Sequence, residues 1–344
     1  MNTPSIRSRK LDHIKLAMES RDAALVNPGW EGIRLSPVAL PMLDAGDIDL
    51  AVEFLDHGLK APIMIAGMTG GHADTESINA NLAIAANECG IAMGVGSQRA
   101  ALQDTSLVSS YSVVRRHAPK AFICGNIGIS QLAGEPMSSA AISDLIDMVE
   151  ADAMAVHINV LQELAQPEGG IILSNALSAL ADFIRRCPVP VIVKETGCGL
   201  DQKTAVRLKE AGAAALDIGG AGGTSFVQIE GVRAEQIGDT RKARLAKTFA
   251  RWGLPTVACL LQVKDVGLPM IATGGIGSGL DVAKALVLGA DMVGIGRQML
   301  AAAMEGPDEA VEELRTIIEE LTIAMVLTES ANIAALSDVE VEVV

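Results

Sequence analysis

Residues 157 to 169 read His-Ile-Asn-Val-Leu-Gln-Glu-Leu-Ala-Gln-Pro-Glu-Gly. Within about a dozen positions they gather an imidazole (His157), carboxamides (Asn159, Gln162) and carboxylates (Glu163, Glu168). An imidazole moves protons near neutral pH, and carboxylate and carboxamide oxygens are hard ligands that suit magnesium. No other window of the chain is as dense in chemistry. The stretch follows a short apolar run, Ala153-Met154-Ala155-Val156, that reads as a buried strand ending at this cluster. A polar loop that merely caps a sheet is the plainer alternative.

Such side chains need a scaffold that aims them at one place. Eight short apolar runs, starting near Pro62, Ile91, Ala121, Ala153, Val189, Ala214, Pro269 and Asp291, end in glycine or a polar residue. Most are separated by helix-like stretches such as Ile78 to Cys89 and Asp281 to Leu288. Strands without polar alternation, each followed by a helix, predict a parallel sheet covered on its outer face. Eight of them in about 240 residues fit a (β/α)8 TIM barrel of the α/β class, with a doubly wound open sheet as the rival. No linker or low-complexity run divides the 344 residues, so one domain is expected: an N-terminal arm and prologue over 1–60, a barrel over 61–303 and a C-terminal helical segment over 304–344.

Active sites in this barrel collect at the C-terminal ends of the strands, and those ends carry polar and glycine residues. They read Gly67-Met68-Thr69-Gly70-Gly71, Gly96-Ser97-Gln98-Arg99, Gly125-Asn126-Ile127-Gly128, the His157 segment, Lys194-Glu195-Thr196-Gly197, Gly219-Gly220-Ala221-Gly222-Gly223-Thr224, Gly274-Gly275-Ile276-Gly277 and Gly294-Ile295-Gly296-Arg297. Glycines after strands seven and eight allow backbone N–H groups to approach an oxyanion, and a helix beginning near Leu280 would add its positive end. Arg297 offers a forked, charge-assisted contact, so the loops suit a phosphorylated cofactor. Lys194 would sit inside the ring of loops, facing either an anionic ligand or, more simply, Glu195 in a structural ion pair.

Composition bounds the partners. A net charge of −15 disfavours nucleic acid and anionic membrane surfaces, although screening over about 8 Å leaves room for a small anion held by a few local cations. Aromatic residues make up 2%, so aliphatic side chains and the 14 Met fill the interior. The five cysteines form no paired metal-ligand spacing, and neither disulfides nor zinc are expected. Mean hydropathy is +0.34, yet no apolar run reaches the ~18 residues of a membrane span, and the first residues lack a signal peptide's apolar core. A soluble, cytoplasmic protein is the expectation.

Taken in order and spacing, these pieces resemble a known family. Arg9-Lys10 with His13, Met68-Thr69-Gly70-Gly71, Gly96-Ser97-Gln98-Arg99, Asn126-Ile127-Gly128, His157-Ile158-Asn159 with Gln162-Glu163 and Gln166-Pro167-Glu168-Gly169, Lys194-Glu195, Gly222-Gly223-Thr224 and Gly274-Gly275-Ile276 are similar to the motifs of type 2 isopentenyl diphosphate isomerases, FMN-dependent (β/α)8 barrel enzymes. The resemblance covers nearly the whole chain. It implies interconversion of isopentenyl and dimethylallyl diphosphate with reduced FMN and Mg2+, NADPH as the usual reductant, and a homo-oligomer, tetramer or octamer. By motif position, Met68, Thr69, Gly70, Ser97, Asn126, Lys194, Thr224, Gly274, Gly275, Gly296 and Arg297 would hold the flavin. Arg9, Lys10, Ser97, Gln98, Arg99 and Gln162 would hold the substrate, and Glu163 the magnesium.

The implied reaction is a 1,3-proton shift without net redox change. Protonating an unactivated alkene develops positive charge at a tertiary carbon, which an electron-rich reduced flavin can stabilise. His157, Asn159 and Gln162 would orient the alkene or assist proton movement. Arg9 and Lys10 lie on an arm expected to continue as a helix through Met18 and to close over the diphosphate. The chain departs from the family pattern at Val160, Gly219, Ala221 and Gln298; a lost hydroxyl at Gly219 is expected to weaken flavin binding by about 0.5–1.5 kcal/mol. Two other readings stay open, a flavin-dependent barrel oxidoreductase and a non-catalytic flavin- or diphosphate-binding paralogue.

Overall fold

Continuous apolar runs become strands when both faces are covered, and eight of them close here into a parallel barrel. The computed structural model describes residues 6–19, 25–134, 136–167, 169 and 173–343; the side chains of residues 6–11, 19 and 343 lie outside that description, as does Glu168. In chain order the barrel strands are Ile63–Ile65, Ala92–Gly94, Ile123–Gly128, Ala153–Ile158, Val191–Glu195, Ala215–Asp217, Met270–Thr273 and Met292–Ile295. Each pairs with its sequence neighbours, and the eighth returns to the first. Each lies within two residues of the expected start.

Because successive strand residues alternate faces, every strand sends one set of side chains inward. The lower inner layer is apolar: Met64, Ala92, Cys124, Ala153, Ala155, Ile192, Ala215, Ile271 and Met292 pack as one cluster. One rung up, the same faces carry Asn126, Lys194, Asp217 and Thr273. The barrel is therefore filled below and chemically furnished above. Register sets His157 beside Lys194 and Lys194 beside Asp217.

The N-terminal end of the barrel is closed by an antiparallel hairpin, Val52–Phe54 with His57–Leu59. Its Phe54 and Leu59 join the lower layer, Phe54 meeting Phe122 edge-on at 5.9 Å between ring centroids. Outside the barrel, Ile33–Leu35 pairs antiparallel with Val341–Val343. Helix Pro307–Leu327 packs against helices Thr75–Cys89 and Gly279–Val287. Pro at its first turn with Asp308 and Glu309 suits a helix start. Among the described residues no helix is long and apolar enough to cross a membrane.

Candidate active site

Above the polar rung the barrel opens into a cavity of about 790 Å3, walled by all eight strand ends and by Phe226 and His13 to Met18 of the arm. The first strand end brings Met68, Thr69 and Gly70 to the wall, and the second brings Ser97 and Arg99. Thr69 is fixed from behind by a hydrogen bond to Asn79 of helix Thr75–Cys89. Arg99 is half-buried and has no hydrogen-bond or ion-pair partner among the described residues, which leaves its guanidinium to a ligand anion.

Gln98, between them, turns away. Its side chain is fully buried; Oε1 accepts from the Asn126 N–H at 2.8 Å and Nε2 donates to the Leu145 carbonyl at 2.8 Å. The expectation that Gln98 touches substrate is corrected: two backbone partners turn its side chain into the wall, where the amide braces the third strand. Gln98→Leu strands two buried backbone groups and is expected to cost about 2–4 kcal/mol, since each unsatisfied group costs about 1–3 kcal/mol. Urea denaturation measures this, and an unchanged midpoint would show that Gln98 is not a brace.

Asn126, so braced, holds His157. Its Nδ2 donates to the Val95 carbonyl at 2.9 Å, which leaves Oδ1 as the acceptor 2.8 Å from His157 Nδ1. That partner assigns a proton to Nδ1 and fixes the ring at the cavity wall. Glycine at 128 makes room for the ring, because a Cβ there would lie 2.8 Å from Nε2.

Asn159, Gln162 and Glu163 line the cavity just beyond His157, on and before the short helix Val160–Ala165. Asn159 Nδ2 donates to Gln162 Oε1 at 3.2 Å and Glu163 Oε1 at 3.3 Å, while Asn159 Oδ1 is buried without a partner among the described residues. Behind them stands Glu230 of helix Phe226–Gln236, fully buried. Its Oε1 receives Gln162 Nε2 at 3.3 Å and His13 Nε2 at 2.8 Å, and its Oε2 receives Arg233 Nη1 at 2.5 Å. Burial raises the Glu230 carboxyl, but the His13 hydrogen bond and the His13 and Arg233 charges outweigh it, and the net direction is down. Sequence reasoning missed Glu230 because it falls in an ordinary-looking helix; only the approach of His13 marks it.

The arm forms helix Ile6–Glu19, in agreement with the expected helix, and Leu16 and Ala17 pack on Ile229. Asp12 also approaches Arg233 at 3.7 Å. Arg9 and Lys10 fall within this helix, but their side chains lie outside the described residues.

Lys194 lines the cavity floor, and its ion pair is with Asp217 Oδ2 at 3.7 Å. The simpler expectation of a Lys194–Glu195 bridge is corrected by strand alternation. Glu195 instead accepts backbone N–H groups of Gly197 (2.7 Å), Gly199 (3.0 Å) and Cys198, fastening the loop after the fifth strand. Burial pushes the Glu195 carboxyl up to about 7 against those donors.

Thr224, Gly274, Gly275, Gly296 and Arg297 complete the wall. The loops after strands six and seven interlock: a Cβ on Gly274 would lie 2.3 Å from the Gly220 carbonyl oxygen and one on Gly275 2.7 Å from that of Gly222. Backbone N–H groups of Gly223, Thr224, Gly275 and Ile276 have no partner among the described residues, which makes an anion cradle. The helix start expected to help is already occupied: Gly277 N–H donates to Asp281 at 3.1 Å and Gly279 N–H to Glu320 at 2.6 Å. The phosphate-sized donor set therefore lies earlier, on the loops themselves. Gly219 has φ of +48°, and a Cβ there would fall 2.1 Å from the Glu195 carbonyl oxygen, so this backbone admits no serine. Gln298 donates to Glu313, outside the cradle.

The described residues contain no group of three or more His, Cys, Asp or Glu placed to hold a metal. Glu163 is a single carboxylate at the cavity wall, the kind of partial site that magnesium completes with substrate phosphate oxygens and water. For FMN the fit is good. The volume, the glycine cradle, Lys194 on the floor and the buried, unpartnered Thr273 Oγ1 together suit a flat polar ring ending in a phosphate.

Comparison with known proteins gives a consistent picture. A family profile described as FMN-dependent dehydrogenase matches residues 153–342. A protein of Methanosarcina mazei named isopentenyl-diphosphate delta-isomerase is 43% identical over 334 residues, covering 97% of this chain and 90% of that one. One of Archaeoglobus fulgidus with the same name is 41% identical over 337 residues, covering 98% and 96%. Among solved structures, a mandelate oxidase superposes with a TM-score of 0.65 at 18% identity, covering 98% of this chain and 94% of that one, a likeness of fold.

Proposed function

From the premise that the chain belongs to the isopentenyl-diphosphate delta-isomerase family and to the wider FMN-dependent dehydrogenase family, we propose that it interconverts isopentenyl and dimethylallyl diphosphate. The observation that carries this reading is a single cavity whose wall sets His157, Asn159, Gln162 and Glu163 together with a glycine anion cradle. Relatives at 41–43% identity over nearly the full length outweigh a fold likeness at 18% in choosing isomerase over oxidase.

Bound FMN, when reduced, supplies an electron-rich ring that stabilises positive charge at the tertiary carbon formed on protonation of the alkene. The remaining work falls to the chain. Met68, Thr69, Gly70, Ser97, Asn126, Thr224, Gly274, Gly275, Gly296 and Arg297 would hold the flavin, and Lys194 would supply a positive charge to its anionic form. Arg99, with Arg9 and Lys10 of the arm, would neutralise the diphosphate, and Glu163 would be a ligand for Mg2+. Gln162 on the cavity wall is held from behind by Glu230 Oε1, which His13 keeps ionised, so the buried carboxylate orients the amide that meets the substrate. His157, held through Nδ1 by Asn126, lines the cavity and orients the reacting end. The arm helix excludes water when it closes.

NADPH is the reductant in this reading. The whole chain acts as one FMN-binding domain, in a cytoplasmic homo-oligomer, tetramer or octamer.

The test is isomerisation of isopentenyl diphosphate by purified protein with Mg2+ and FMN, run anaerobically with dithionite and in parallel without reductant. Turnover confined to the reduced sample is expected. No turnover with FMN bound would return weight to an oxidoreductase or a silent paralogue.

A further inference from the structure

Lys194 and Asp217 are register partners on neighbouring strands, and they pair at 3.7 Å with 12% and 6% of their side-chain surfaces exposed. Burying either charge alone is costly, and each explains the other's burial. The pair is nonetheless open on one side. Its separation exceeds the ~2.7–2.9 Å of a tight charge-assisted hydrogen bond. Lys194 Nζ also donates to the Glu195 carbonyl at 3.3 Å, and the residue lines the large cavity.

Asp217 sits behind it. It lines a small pocket of about 10 Å3 in the barrel interior with Cys124, Lys194 and Thr273, and it is not part of the large cavity's wall. Burial pushes the Cys124 thiol up to about 12, so it stays neutral there. Glu195, the other nearby carboxyl, is turned to its own three N–H donors. Asp217 is thus the charge against which Lys194 is set. Its Oδ1 also accepts the Gly219 N–H at 3.3 Å.

We propose that Asp217 is a positioning residue that, acting through Lys194, sets how strongly the cavity floor prefers anionic reduced flavin over neutral oxidised flavin. The inference rests on the FMN reading above. Two-electron reduction with uptake of one proton leaves a negative charge on the ring, which Lys194 attracts and the carboxylate behind it opposes. Without that carboxylate the preference for the reduced form rises.

The test is Asp217→Asn, which removes the charge and keeps an oxygen for Gly219, with Asp217→Ser as a second route to the same loss. Dissociation constants are measured for oxidised and for dithionite-reduced FMN on the full chain. In both variants the ratio of oxidised to reduced constants is expected to rise about tenfold, a positive shift of about 30 mV for a two-electron couple. A merely structural role weakens both forms alike and leaves the ratio in place. A ratio unchanged within about twofold, with FMN bound, overturns this inference alone. Loss of FMN from both variants also counts against it, because a residue acting on the Lys194 charge leaves the glycine cradle intact. Failure of the unaltered chain to bind FMN overturns both this inference and the reading beneath it.

Discussion

Replacing Gly275 with valine is expected to weaken FMN binding by about 100-fold or more. Gly275 has φ of +67°, a left-handed conformation that costs an L-residue about 1–2 kcal/mol and a β-branched one more. Its Cβ would lie 2.7 Å from the Gly222 carbonyl oxygen and 2.7 Å from Pro28 Cγ, so the loops after strands six and seven must part. Parting them separates the Gly223 and Thr224 N–H groups from those of Gly275 and Ile276. Hydrogen bonds to a charged group are worth about 1.5–3 kcal/mol each, so losing two accounts for the 100-fold. Gly46, where an added methyl would meet nothing within 4 Å, provides the control as Gly46→Ala. Quenching of FMN fluorescence measures both, and equal affinity in the two variants would remove the cradle from the flavin site.

Glu230→Gln should act on turnover and leave the flavin in place. Three donors converge on this fully buried carboxylate, from His13, Gln162 and Arg233. A glutamine keeps one oxygen but turns an NH2 toward donors, and it removes the negative charge that faces Arg233 at Oε2. Loss of the charge that positions Gln162 and His13 is expected to lower kcat about 10²-fold, with a stability loss of about 3 kcal/mol from the broken buried pair. Because the Glu230 carboxyl is held below the usual carboxylate range, its stabilising effect is complete above the unfolded-state value and disappears as pH falls through the lower folded-state value. The parent should therefore lose stability in acid through a step that the variant lacks. Single-turnover rates on folded, FMN-loaded variant decide the catalytic half; a kcat within about threefold of the parent leaves Glu230 as packing alone.

The strands were legible because a parallel barrel covers both faces of each one, so they read as unbroken apolar runs, and the loop motifs followed from where such runs stop. Inward and outward neighbours were harder. Gln98 stands between Ser97 and Arg99 in one motif, yet the backbone sends it into the wall, and no spacing rule separates the three. Lys194 pointed toward its sequence neighbour Glu195, whereas its partner comes from the next strand through a register that loops and twist decide. Asp217 did carry a signal: it is a lone carboxylate inside the apolar run Ala214 to Ile218. Glu230 carried none, since an acid in a helix is ordinarily a solvated one. The start of helix Gly279–Val287 was misread for a related reason, because Glu320, which fills it, arrives from a helix 41 residues away.

The hairpin seats Phe54 and Leu59 against the apolar lower layer, so the barrel is packed shut beneath the cavity and ligands pass at the end where the loops and the arm lie. Whatever is made inside leaves as the starting material came in. Two isomers with the same diphosphate head take turns at that threshold, and each must vacate before the other is admitted. A catalyst lowers one barrier for both directions and has no built-in direction of its own. Net flow is then governed by how quickly the surroundings carry one isomer away, so the barrel sets the pace of exchange and the demand outside sets its course.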